Sequence, residues 1–154
     1  MRYFYILLAV ACLAASAEAA QEKPNLIVIM ADDLGYGDLS HLGQKSFSTP
    51  NIDRLASKGV RFTNAYVQSP FCGPSRMSTY TGRYCRSHGS TWNGFPLRIG
   101  ERTMGDHLRE VGVQSVIVGK THMVPDTEGM NWLGIDPKST IGVQLSECGF
   151  TPFE

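Results

Sequence analysis

Three observations predict an α/β domain. The apolar run Leu26 to Met30 is bounded by Pro24 on one side and Asp32-Asp33 on the other, which is the pattern of a strand buried on both faces. Strand-patterned and helix-patterned segments alternate from Pro24 to Lys120, as they do where helices cover a sheet. Two of the helical segments carry their own start and stop residues.

The elements follow in order. "PNLIVIM" gives the first strand, and Gly35, Gly37 and Asp38 make the loop after it. In "STPNIDRLASKG" Thr49 is placed to cap a helix, Pro50 suits its first turn and Gly59 its stop. Ile52, Leu55 and Ala56 form its apolar face. "VRFTNAYV", Val60 to Val67, alternates as a second strand. Pro74 opens a helical stretch over Ser75 to Thr81 that stops at Gly82. "RTMGDHLREVG" is another helix: Thr103 and Asp106 have capping-box spacing, and Gly112 closes it. "VQSVIVGK" reads as a third strand ending at Lys120. From Thr121 onward the chain reads as loop, rich in Gly, Pro and Asp.

The 154 residues suit one modest domain, and 42% hydrophobic content with 18% charged is enough for a core. Fourteen basic and 14 acidic residues give zero formal charge, unsegregated. That excludes a nucleic-acid partner and a polybasic membrane surface as the basis of function. Residues 1–19 stand apart: Arg2, an apolar run from Tyr3 to Ala14, and Ala17-Glu18-Ala19 as a cleavage site. This pattern is a secretory signal peptide, so the mature chain is expected to be secreted or periplasmic. The run is short for a membrane span, and none is expected. Cleavage would remove Cys12 and leave Cys72, Cys85 and Cys148, an odd number; Cys85 and Cys148 are expected to be free rather than bridged.

Three constellations can carry chemistry. Asp32 and Asp33 repel unless a cation joins them, so a hard divalent ion or a capped turn is the alternative. Ligand sites in open α/β sheets lie beyond the carboxyl ends of strands, which places Lys120 and His122 at the same edge. In an extended segment those two share a face; they are an anion-binding pair or a loop lysine beside a partly buried histidine. Cys72, just before Pro74 and one turn from Arg76, meets free N–H groups and positive charge. It is a nucleophile, an anion cradle or a structural thiol. His41, His88 and His107 read as surface or helix residues, Trp92 and Trp132 as packing groups, and Asp126 and Asp136 as loop residues lining a pocket.

"CGPSRMSTYTGR", Cys72 to Arg83, resembles the signature of the type I sulfatases, C-x-P-S-R with T-G-R four residues later. "PNLIVIMADDLGYGD" upstream, "TPNIDRLASKGVRFTNAYV" between and "GKTH" downstream stand in the family's order. The resemblance implies the alkaline phosphatase-like fold, a mixed sheet flanked by helices, with 23–154 as the N-terminal part of its catalytic domain. It implies hydrolysis of sulfate esters on a small molecule or glycan. Cys72 would be oxidised to formylglycine by a dedicated maturing enzyme. Asp32, Asp33 and residue 72 would hold Ca²⁺, with Mg²⁺ or Mn²⁺ as alternatives. Arg76 would steady that site, and Lys120 and His122 would contact the sulfate and the nucleophile. An aldehyde hydrate suits this chemistry because one hydroxyl attacks sulfur and the other expels sulfate.

Some positions depart from the pattern. Gly73 stands where Ser, Thr or Ala is frequent, a change expected to matter little. Tyr80 replaces an aliphatic residue and Thr121 an aromatic. With Asn93 to Leu97 and Val124 to Asp126, these departures resemble the phosphonate monoester hydrolase branch, which keeps phosphonate and phosphodiester cleavage open. Family enzymes are several times longer than this chain. This chain is therefore expected to be inactive alone, the hydrolase being its full-length form; a non-catalytic remnant is the further alternative.

Overall fold

The structure is a computed structural model that describes residues 24–152; the expected signal peptide, residues 1–19, lies outside them. The chain divides after Ala31 into two units. In the first, residues 24–30 form neither helix nor strand. Leu26, Ile27, Val28 and Ile29 are 83, 81, 64 and 84% exposed, so the strand buried on both faces is not formed.

The second unit overturns the expected fold class as well. Its described residues form helices, not a mixed sheet flanked by helices. The β-structure is one parallel pair, β1 (Val116–Ile117) with β2 (Thr151–Pro152), Val116 opposite Thr151. Val60 to Val67 is irregular, with Val60, Phe62 and Tyr66 exposed. The expected third strand shrinks to the two residues of β1. The physical reason is common to all three segments. Periodicity records which side chains suit burial, but a strand exists only where a neighbour takes its N–H and C=O groups.

The helices follow their local signals more closely. α1 (Pro50–Lys58) begins on Pro50 and ends as Gly59 N–H donates to the Leu55 carbonyl. Thr49 stands at the cap position, yet its hydroxyl donates to Asp53 at 3.0 Å instead of capping the backbone. His41 Nδ1 meets the same carboxylate at 2.9 Å, and this contact first of all holds Asp53 below the ordinary carboxylate range. The apolar face of α1 is uncovered, with Ile52 and Leu55 exposed.

α2 (Cys72–Thr81) buries Arg76, Met77, Ser78 and Tyr80 and stops at Gly82, whose φ of 66° is left-handed. Met77 and Tyr80 pack with Leu97 and Phe150 to form the core, the two rings edge-on at 5.5 Å. α3 (Cys85–His88) was not signalled by the sequence. It makes His88 a helix residue, one of the two places expected for it, and buries it fully in the interior. Ser90 N–H donates to Nδ1 at 3.2 Å, so Nε2 carries the proton and donates to Ser78 Oγ at 3.0 Å. Burial pushes the His88 pKa down, consistent with this neutral tautomer.

α4 (Met104–Glu110) has the expected capping box. Thr103 Oγ1 accepts from Gly105 N–H at 3.0 Å, and Asp106 accepts from Thr103 N–H at 2.9 Å. A Cβ on Gly105 would lie 2.6 Å from the Gly149 carbonyl carbon, so glycine permits that close approach. The loop expected from Thr121 onward instead holds α5 (Thr127–Trp132) and α6 (Thr140–Glu147), capped by Asp126 and Ser139. Asp126 and Ser139 are the signals that were available; the glycines around them argued for loop. Asp126 also lines a cavity of about 400 Å³ between Leu97, Arg102, Met130 and Leu145. Asp136 accepts from Lys138 N–H. Cys72, Cys85 and Cys148 are free.

Candidate active site

Cys72 is the first residue of α2, and Phe71 before it offers no side-chain cap. The orphan amide of Gly73 is taken instead by Asn93, whose Oδ1 accepts from Gly73 N–H at 2.8 Å and lies 3.5 Å from Cys72 Sγ. Phe71 and Trp92, the residues just before, meet at a tilt of 48° with ring centroids 4.0 Å apart. Trp92 is thus a packing group, as expected. A Cβ on Gly73 would stand 2.8 Å from Asn93 Oδ1 and 3.3 Å from Asn93 Cα. Glycine at this position leaves room for the Asn93 carboxamide, whose end would have to shift to make way for a Cβ.

One turn along α2, Arg76 is buried at 6% exposure. It donates through Nη1 to the Lys120 carbonyl at 2.7 Å and through Nη2 to Asp32 Oδ1 at 3.1 Å. Lys120 Nζ donates to the other Asp32 oxygen at 2.6 Å. Three segments far apart in sequence meet here. Arg76 is the fixed post of the cluster, because its guanidinium is packed while the Lys120 side chain is 40% exposed. The hydrogen bond from Lys120, and then that from Arg76, hold the Asp32 carboxyl below its ordinary value. The same bond to Asp32 raises Lys120, with smaller contributions from the charges of Cys72 and Asp33. The thiol and the second carboxylate therefore lie within the field of the ammonium.

Asp33 and His122 share an unusual feature. Their φ angles are 53° and 54°, in the left-handed region that non-glycine residues seldom occupy. Of the three such residues described, two are predicted site residues, and local strain of this kind gathers at functional sites. At His122 it corrects the expectation of an extended segment with Lys120 and His122 on one face. His122 Nδ1 is buried without a hydrogen-bond partner. Asp33 is exposed. Arg83, the last residue of the signature, turns elsewhere and forks onto Glu101 at 2.7 and 2.8 Å.

Asp32 and Asp33 present the hard oxygen donors that Ca²⁺ or Mg²⁺ takes. The donors suit such an ion in kind and supply part of its shell. Among the described residues no group of three His, Cys, Asp or Glu converges to complete it. Asn93 is the one contributor that sequence reasoning did not place at the site; its Asn-Gly pair reads as a turn signal. No helix among the described residues is long and apolar enough to cross a membrane.

The sulfatase family profile matches residues 24–136. The chain is 47% identical over 134 residues to an N-acetylgalactosamine-6-O-sulfatase of Bacteroides thetaiotaomicron, covering 84% of this chain and 25% of that protein. It is 42% identical over 123 residues to arylsulfatase A of Bos taurus, covering 75% of this chain and 24% of that one. A structure solved in complex with its substrate D-glucosamine-2-N,6-O-disulfate matches with a TM-score of 0.64 and 33% identity, over 70% of this chain and 22% of that chain. Phosphonate monoester hydrolase of Agrobacterium radiobacter matches with a TM-score of 0.60 and 32% identity, over 76% and 23%. The chain thus spans about a quarter of the length of the curated relatives it matches. With the signature at the start of α2 and the family profile running through it, the chain belongs to the type I sulfatase family of the alkaline phosphatase superfamily.

Proposed function

We propose that this chain carries the nucleophile-bearing part of a sulfate ester hydrolase, with residue 72 acting in its oxidised, formylglycine form. The convergence of Arg76 and Lys120 on Asp32, beside the residue that opens α2, is the observation that carries this reading. The names of the relatives and the sulfated glucosamine of the similar structure favour a sulfated sugar or other small sulfate ester as substrate.

Asp32, Asp33 and residue 72 would hold Ca²⁺, with Mg²⁺ or Mn²⁺ as alternatives, and the ion and the aldehyde hydrate would supply charge neutralisation and a paired hydroxyl nucleophile. The chain's own side chains do the rest. Arg76 fixes the Asp32 carboxylate from a buried position. Lys120 brings a donor ammonium to the oxyanion that develops on the ester. The His122 imidazole would exchange a proton with the leaving oxygen or the nucleophile. The C-x-P-S-R stretch is the segment a formylglycine-generating enzyme would read, and the pattern of residues 1–19 supports export.

The test is a paired measurement on the full-length form of the protein, made in a host that matures sulfatases. Mass spectrometry of the Cys72 peptide is expected to find the aldehyde, and Cys72→Ala is expected to abolish release of sulfate from an aryl sulfate. An intact thiol at full activity would overturn the reading. A second reading, hydrolysis of phosphonate monoesters or phosphodiesters by the same group, is favoured by the likeness to phosphonate monoester hydrolase. Preference for a phenyl phosphonate ester over the aryl sulfate would select it.

A further inference from the structure

We infer that Asn93 is a positioning residue for the side chain at 72, and that residue 73 is glycine in order to admit it. α2 lacks a local cap, because Phe71 has no side-chain oxygen and makes no capping bond. Its N-terminal amides would otherwise be free to bond whatever residue 72 carries. Asn93 occupies that position from 20 residues away. One oxygen, Oδ1, takes the Gly73 N–H at 2.8 Å and faces Cys72 Sγ at 3.5 Å. The Phe71–Trp92 ring pair, one residue earlier on both segments, holds the two backbones side by side. Gly73 leaves the room for it: a Cβ there would stand 2.8 Å from Oδ1, and the carboxamide would have to shift to make way. Gly73 and Asn93 thus act as one device: the first leaves the space and the second fills it with an acceptor that orients residue 72. The consequence for catalysis rests on the sulfatase reading. The measurement below does not, so the two ideas fail separately.

The experiment uses the full chain with Cys72 kept as a thiol. Iodoacetamide alkylation at one fixed pH is followed peptide by peptide, and Cys85 and Cys148 serve as internal references. Asn93→Ala removes the acceptor facing Sγ and releases the Gly73 amide; Cys72 alkylation is expected to rise about threefold. Asn93→Asp keeps the shape and places a negative charge beside the sulfur; the rate is expected to fall about tenfold. Gly73→Ala is expected to reproduce the rise of Asn93→Ala, and to add under about twofold when the two are combined. Loss of packing alone would move Asn93→Ala and Asn93→Asp in the same direction, and that result would overturn the proposal. So would independent, additive effects of Gly73→Ala and Asn93→Ala. The near-isosteric Asn93→Asp keeps the comparison decisive even if the alanine variant is loosened.

Discussion

The stretch from Phe71 to Glu110 and the strand-patterned stretches at 24–30 and 60–67 are equally suggestive in sequence but differ in structure. The first forms α2, α3 and α4, buries Met77, His88 and Thr103, and places Arg76. The others stay irregular, with their large apolar side chains exposed. A helix satisfies most of its backbone within itself, and a few caps finish the job. A strand borrows all of its partners from elsewhere. The candidate site is held by the kind of element that local sequence can specify.

The largest test of this contrast is a pair of core and segment truncations. Met77→Ala should cost about 2–5 kcal/mol in urea unfolding, because its side chain is 1% exposed. Leu26→Ala, at 83% exposure, should stay within about 0.5 kcal/mol. Equal costs would break the comparison. Next in size, Arg76→Ala should lose about 1–3 kcal/mol by leaving the Lys120 carbonyl without its donor. It should also remove any sulfatase activity of the matured enzyme, whereas Met77→Ala should affect turnover only through stability.

A pH series sharpens the contrast further. The folded His88 pKa lies below its unfolded value of 6.5, so the unfolded chain binds the proton more readily. The stability of the neutral ring is full above 6.5, begins to fall below it, and continues to fall until the folded pKa is passed. Thermal midpoints should drop on going from neutral to mildly acidic buffer, and His88→Gln should flatten that drop. The Asp32 contribution has the same sign in a lower window. It is present above 3.8 and lost as pH falls through the depressed folded value. The smallest effect is Asp32→Asn at neutral pH. It should scarcely shift the unfolding midpoint, since exposed ion pairs contribute little, while weakening binding of Ca²⁺ followed by calorimetry. A large loss of stability would mean that the cluster is a structural brace.

Much of the site was readable because its residues come as dense local motifs. Cys72 and Arg76 sit one turn apart, and Asp32 and Lys120 each end an apolar run. The Thr103–Asp106 capping box was readable for the same reason: its spacing is its geometry. Asn93 was not, because nothing local records a cap that arrives from another loop. The burial of His88 was not readable, because a histidine in a polar stretch gives no hint that Ser78 and Ser90 N–H will satisfy both its nitrogens. The left-handed turns at Asp33 and His122 were invisible, since aspartate and histidine occur in many backbone states. The sheet failed for the opposite reason. Alternation was present, but pairing depends on partners that a pattern within one segment cannot name.

Cys148 closes α6 with its thiol packed inside, and burial together with the nearby Asp106 pushes its pKa up to about 11. At neutral pH the thiol therefore stays protonated, and the anion that attacks oxidants or mixed disulfides is scarce. Under the proposed oxidation of Cys72, chemistry aimed at sulfur would thus discriminate between sites on one polypeptide, because this cysteine is kept silent.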